Sequence, residues 1–176
     1  PVLSVVPRAR VVAAASNVSL SVTPDGKVLT WGVNTWGQLG DGTRITRPEP
    51  GEVPGLTGMM AVSMAYDHAL ALKSDGTVWG WGSNSGGVLG DGTRTQRFNP
   101  VQVSSAIRFQ AISTGPAHSL GLAEDGTVWA WGLNAAGQLG DGTNTRRLSP
   151  VQVRGLSGVV AIAATYTVGK FIGTVV

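Results

Sequence analysis

VWAWGLNAAGQLGDGT, residues 128–143, repeats VWGWGSNSGGVLGDGT at 78–93 and VLTWGVNTWGQLGDGT at 28–43. The step is fifty residues each time, so Trp31, Trp81 and Trp131 fall on one register, each followed by Gly. A period between about 20 and 50 residues marks a solenoid, a propeller or an array, in which each copy buries its apolar face against the next.

Outward from that phrase, the second copy reads as four short strands. Met60 to Met64 is a short apolar run. His68-Ala69-Leu70-Ala71-Leu72-Lys73 alternates small or polar with large residues, the two-residue period of a strand. Ser74-Asp75-Gly76 is a hairpin turn. Thr77 to Trp81 is β-branched and aromatic, a second strand, and a Gly-rich loop runs from Gly82 to Thr93. Pro100 reads as the residue that opens a last strand, Val101-Gln102-Val103, as do Pro50 and Pro150 in their copies. No stretch shows helical periodicity, and four-stranded units repeated about an axis are propeller blades. The fold class expected is therefore all-β, a partial β-propeller of four-stranded blades.

The order of apolar run, H-[SA]-L-x-L, D-G-x-V-x-x-W-G-x-N, G-Q-L-G-D-G-T and Pro-Val strand resembles the regulator of chromosome condensation repeat family, in bacterial-type tandem repeats. His118-Ser119-Leu120, Asp125-Gly126-Thr127, Trp131-Gly132 and Gly137-Gln138-Leu139-Gly140 carry the match best, and it runs from Val11 to Val153. The resemblance implies a seven-bladed ring. It also implies one of two roles: guanine-nucleotide exchange on a small GTPase, as in the best-known members, or an interaction module without exchange activity. The expected divisions are 1–10, the end of a preceding repeat; 11–60, 61–110 and 111–160, three propeller repeats; and 161–176, the start of a divergent or truncated fourth. Pro1-Val2 resembles the Pro100-Val101 step, whereas Val168, Lys170 and Val175-Val176 break the pattern of the last copy. Three complete copies do not close such a ring. The expectation is a fragment of a longer propeller, with a self-pairing half-propeller and an altered or truncated tail as alternatives.

The chain has 176 residues, 42% of them hydrophobic and 13% charged, a globular composition. It has no Cys, which excludes disulfides, thiolate metal sites and a Cys nucleophile. The net charge of +3 permits an acidic partner without demanding one. No apolar run is long enough to span a membrane. No targeting segment is visible, which favours the cytoplasm over export.

Candidate chemistry is sparse. His68 and His118 share one register, but Val18 and Val168 occupy it in the other copies and no ligand cluster lies nearby at metal spacing. A structural histidine, bonded within its own blade, is the preferred reading. Asp41, Asp91 and Asp141 recur in G-D-G-T, where one carboxylate beside Gly makes a turn sooner than a Ca²⁺ site. No metal or cofactor is expected. The W-x-W pairs Trp79/Trp81 and Trp129/Trp131 place two rings on one strand face, for burial between blades. Trp36 stands where the other copies have Gly86 and Ala136, and is a candidate for ligand contact.

The arginines give the main functional lead. Arg47, Arg97 and Arg147 share one register, Arg44 and Arg94 another, and Arg146 adjoins Arg147, so six of thirteen basic residues lie in one recurrent loop. Such loops project from one face and would present an arc of charge to a protein, a nucleic acid or another acidic partner. The alternative is that Arg47, Arg97 and Arg147 pair with acids of a neighbouring blade, which leaves Arg44, Arg94 and Arg146 freer. No phosphate loop, nucleophile elbow or zinc-protease signature is present, so catalysis is not expected. The function expected is a non-enzymatic scaffold. The alternatives are nucleotide exchange on a small GTPase and self-assembly as a homodimer through open blade edges.

Overall fold

The computed structural model describes residues 12–164; the expectations placed on Pro1-Val2 and on Val168, Lys170 and Val175-Val176 lie outside the described residues. Twelve strands follow one another: β1 (Val12–Ala15), β2 (Val18–Val22), β3 (Val28–Gly32), β4 (Arg47–Glu52), β5 (Met59–Ala65), β6 (His68–Lys73), β7 (Val78–Gly82), β8 (Arg97–Gln102), β9 (Phe109–Thr114), β10 (His118–Ala123), β11 (Val128–Gly132) and β12 (Arg147–Gln152). They form three antiparallel four-stranded sheets, each in sequence order, and no helix occurs among the described residues. β1 packs against β5 and β5 against β9. The first strands therefore lie side by side toward a common axis, and β4, β8 and β12 form the rim.

Antiparallel order sorts the connections. The turns after β1, β5 and β9 and the long loops after β3, β7 and β11 fall at one end of the sheets. The Asp-Gly turns fall at the other. In the Ser74-Asp75-Gly76 turn, the Thr77 N–H donates to Asp75 Oδ1 at 2.9 Å and Gly76 takes φ +82°, which a side chain would resist.

The fourth strand differs from expectation. It begins at Arg47, Arg97 or Arg147, so Pro50, Pro100 and Pro150 lie inside it and do not open it. The register explains why. Gly80 pairs with Val101 but Gly82 pairs with Arg97, so extra residues bulge out around Pro100. A proline on a bulged edge strand removes no ladder hydrogen bond.

The alternation in β6 has a two-sided use. Ala69 and Ala71 join the cluster between the first and second sheets, with Leu20, Leu39, Met64 and Trp81. Leu70 and Leu72 join the cluster between the second and third, with Phe109 and Trp131. Both faces of the strand are buried, small side chains on one and large on the other.

The fifty-residue phrase builds the joint between sheets. The Trp81 indole N–H donates to the Gln38 carbonyl at 2.9 Å, and Trp131 does the same to Val88 at 2.8 Å. Each ring lies over a glycine of the preceding loop: a Cβ on Gly40 would stand 2.8 Å from Trp81, and one on Gly90 2.8 Å from Trp131. The Gly42 N–H donates to the Phe98 carbonyl and the Gly92 N–H to the Leu148 carbonyl, so each loop also clips the rim strand of the next sheet. At the opposite end the Gly26, Gly76 and Gly126 carbonyls accept from the Met59, Phe109 and Val159 N–H groups. Trp81 and Trp131 are fully buried, while Trp31, with no preceding sheet among the described residues, is half-buried. Trp79 and Trp129 are half-buried beside their partners.

Candidate interaction face

The loops after β3, β7 and β11 are rigid by construction; they carry Arg44, Arg94 and Arg146, and Arg47, Arg97 and Arg147 open the strands that follow them. The Asn34, Asn84 and Asn134 side chains are buried at their centres. Each accepts the Leu N–H five residues on and donates to the G-D-G-T aspartate; for Asn134 these are Leu139 at 2.9 Å and Asp141 at 3.1 Å. Asp41, Asp91 and Asp141 each accept the N–H and hydroxyl of the following Thr, the turn expected of them. Burial pushes these carboxyls up. The Thr, Arg and Asn donors outweigh it and hold Asp41 and Asp91 below the usual 3.8 and Asp141 at about 2. No group of three or more His, Cys, Asp and Glu able to hold a metal occurs among the described residues.

The arginine register resolves into two kinds. Arg97 Nη2 lies 2.7 Å from Asp91 and Arg147 Nη2 2.6 Å from Asp141, with their Nε atoms donating to the same oxygens. The partner is the acid of the same loop, not of a neighbouring blade. The aspartate stands six residues before the arginine and folds back on it through the Asx turn, so no neighbour is needed. Arg47 departs from this: its nearest contact with Asp41 is 3.8 Å, and Nη2 donates instead to Thr30 O, Thr30 Oγ1 and Gly51 O. Thr30 stands where the other copies have Gly80 and Ala130, and supplies the oxygen. Gly51 stands where they have Val101 and Val151, and clears the space: a Cβ there would meet the guanidinium. That exchange was readable in the sequence as two linked departures from the repeat, at 30 and 51, around the constant Arg47, but was not singled out.

Arg44 and Arg94 are exposed. Each donates from Nε to the carbonyl nine residues back, Thr35 and Ser85 respectively, both at 2.9 Å, and neither forms an ion pair among the described residues. Asn144 holds their register in the third copy. Arg146 is half-buried, and its Nε has no hydrogen-bond partner. Trp36 is 48% exposed. Its carbonyl accepts from Gln96 Nε2 of the next sheet and its N–H donates to Gln38 Oε1, so the ring is presented from a pinned backbone.

The histidines are buried, but not bonded as expected. Neither ring nitrogen of His68 has a hydrogen-bond partner, nor has His118 Nδ1. His68 Nδ1 lies 3.7 Å from Asp67, too far for a hydrogen bond. Desolvation, then the nearby His68, lowers the His118 pKa, favouring the neutral ring. Both fill space as Val18 does at the same register in the first sheet.

Three helix-free sheets, side by side and not closed on themselves, define a partial β-propeller. The model of the regulator of chromosome condensation (RCC1) repeat matches residues 25–72, 75–122 and 125–168, and a second model of that repeat matches 61–87 and 109–138. The chain belongs to this repeat family. No curated protein sequence matches it significantly. Among solved structures, human WBSCR16 is similar at 24% identity and a TM-score of 0.77, over 87% of this chain. Saccharomyces cerevisiae Prp20p is similar at 22% and 0.69 over 81%, and the Physcomitrella patens receptor kinase CR4 ectodomain at 17% and 0.54 over 87%. The chain spans 42%, 37% and 34% of those chains respectively.

Proposed function

We propose that the chain is a non-enzymatic β-propeller interaction scaffold that engages a protein partner through the loop end of its sheets. The observation that carries this is the division of the arginines. Arg97 and Arg147 are held by their own loop's aspartate and Arg47 by backbone, whereas Arg44 and Arg94 stand exposed one sheet apart on a rigid frame. Rigid loops cost little ordering entropy on binding, which is how a propeller face serves recognition. Arg44, Arg94 and Arg146 would meet an acidic patch of the partner; Arg47, Arg97 and Arg147 would hold the loops. The Prp20p structure is described with its binding properties to Gsp1p and histones, and yeast RCC1 (Prp20) also as bound by Kap60, which supports protein recognition as this fold's use. Among the described residues no helix is long and apolar enough to cross a membrane.

The test is crosslinking of the chain to its partners, with a triple variant Arg44→Ala, Arg94→Ala, Arg146→Ala compared against Arg97→Lys. The triple variant is expected to lose most crosslinks without loss of melting temperature. Crosslinks undiminished in the triple variant would remove the arginine face.

Nucleotide exchange on a small GTPase is the second reading, favoured by the family and the Prp20p likeness. Release of labelled GDP from candidate GTPases would support it. The constant fifty-residue spacing leaves no room for an inserted wedge among the described residues. Homodimerisation through the open ends is a third reading, favoured by the half-buried Trp31 at one end and the exposed Gly140 loop at the other. Mass measurement in solution distinguishes it.

A further inference from the structure

Three departures from the repeat lie apart in sequence and together in space. Trp36 replaces the Gly86 and Ala136 of the other copies, Tyr66 replaces Ser16 and Pro116, and Asp67 replaces Asn17 and Ala117. All three line one shallow, open cavity of about 380 Å³ at the loop end, bordered by the turns after β1, β5 and β9 and the loop after β3. Trp36 and Tyr66 are 48% and 47% exposed, unlike the buried tryptophans of the joints. Tyr66 takes φ +42°, a left-handed conformation that bulky side chains rarely adopt. Ser16, at the same register and also lining the cavity, takes φ +54°, so the conformation belongs to the turn after the first strand and presents either side chain to the cavity.

The charge at the cavity is single and negative. Asp67 is the one charged side chain among the lining residues, and its carboxylate is partly open to solvent. Burial alone would push its carboxyl up, but His68 and Ser83 beside it hold it below the usual 3.8, so it is ionised at neutral pH. Ser16, Thr35 and Gln38 add uncharged polar groups. Arg44 reaches the edge through its bond to the Thr35 carbonyl but is not among the lining residues.

We propose that this cavity receives the cationic side chain of an arginine or lysine from a partner protein, with its charge against Asp67 and its stem or guanidinium plane against the Trp36 and Tyr66 rings. A carboxylate and two exposed aromatic rings lining one cavity suit a cation on both counts, Coulombic and quadrupolar. A phosphate or nucleic acid would bring its charge against Asp67. The volume lies near the low end of small-ligand cavities, about 300–1,000 Å³, and admits one long side chain. The site shares the loop after β3 with Arg44 but uses none of the arginines, so its failure would leave that reading standing.

The test is a titration of the full chain, ¹⁵N-labelled, with N-acetyl-arginine amide, and in parallel with the lysine and the uncharged citrulline amides. The indole N–H resonance of Trp36 is the readout. Three variants borrow the residue another copy already carries, so each keeps a side chain the fold accepts: Trp36→Ala, Tyr66→Ser and Asp67→Asn. Trp36→Ala identifies the resonance by its loss. The expected result is a saturable shift with the arginine or lysine amide and none with citrulline. Asp67→Asn should weaken it by about tenfold and Tyr66→Ser by a smaller factor, as loss of one charge contact and one ring implies. A shift with citrulline equal to that with arginine, a shift undiminished in Asp67→Asn, or no shift with either cation would overturn the proposal.

Discussion

Trp131→Ala is expected to lower the unfolding free energy by about 3–5 kcal/mol, the cost of truncating a fully buried tryptophan. The ring is fully buried, packs against Phe109 at a centroid distance of 6.1 Å and donates its N–H to the Val88 carbonyl. Removal opens a cavity at the joint between the second and third sheets and leaves that carbonyl with the Ser119 hydroxyl as its remaining side-chain donor. Trp31→Ala, at the same register but half-buried, should cost no more than about 1–2 kcal/mol. Urea denaturation followed by circular dichroism checks both. Equal losses would show that the ring stabilises its own sheet and not the joint.

Gly90→Ala is the second large effect, with Gly155→Ala as its control. Both glycines have positive φ, +69° and +73°. Placing Ala there costs about 1–2 kcal/mol at either site. A Cβ at Gly155 meets nothing within 4 Å, but at Gly90 it meets the Trp131 ring at 2.8 Å and Val103 at 3.1 Å. Overpacking adds about 1–3 kcal/mol at Gly90 alone. In the double variant Gly90→Ala, Trp131→Ala the losses should fall short of additive, because the clash disappears with the ring. Additive losses would mean that the close approach is not what requires glycine.

The same two residues show how much was legible in advance. The period of Trp31, Trp81 and Trp131 was sufficient for four-stranded blades, because a repeat unit unable to bury its own faces must stack. The Asp-Gly turns were legible because Asp and Gly there have a local reason. The partner of each joint was not: that Trp131 lies over Gly90 and not over a glycine of its own copy depends on how sheets sit side by side, which local pattern does not encode. The rim strand was missed at its start for a related reason. Arg97 pairs with Gly82 across a bulge, and a bulge breaks the alternation by which strands are read. The arginine register looked like one arc of charge. The Asx turn folds Asp141 onto Arg147 and divides it, and only Arg44 and Arg94 remain exposed. Trp36 was visible as an exception to the repeat. Tyr66 and Asp67 were equally exceptional, but nothing in linear order brings 36 beside 66 and 67; the sheet order does.

Repeated positions build the sheets and their joints, and on the proposed reading the uneven positions at the loop end meet the partner. One chain tests this directly: Trp36→Ala, Arg44→Asn, Tyr66→Ser, Asp67→Asn and Arg94→Asn together, each borrowing the residue that another copy carries at that register. The measurement is its quantitative capture of partner proteins from source-cell lysate beside the parent chain, both at matched folded concentration. The account predicts a folded chain that captures almost nothing the parent captures. Capture undiminished in this variant would contradict it and return recognition to the repeated residues.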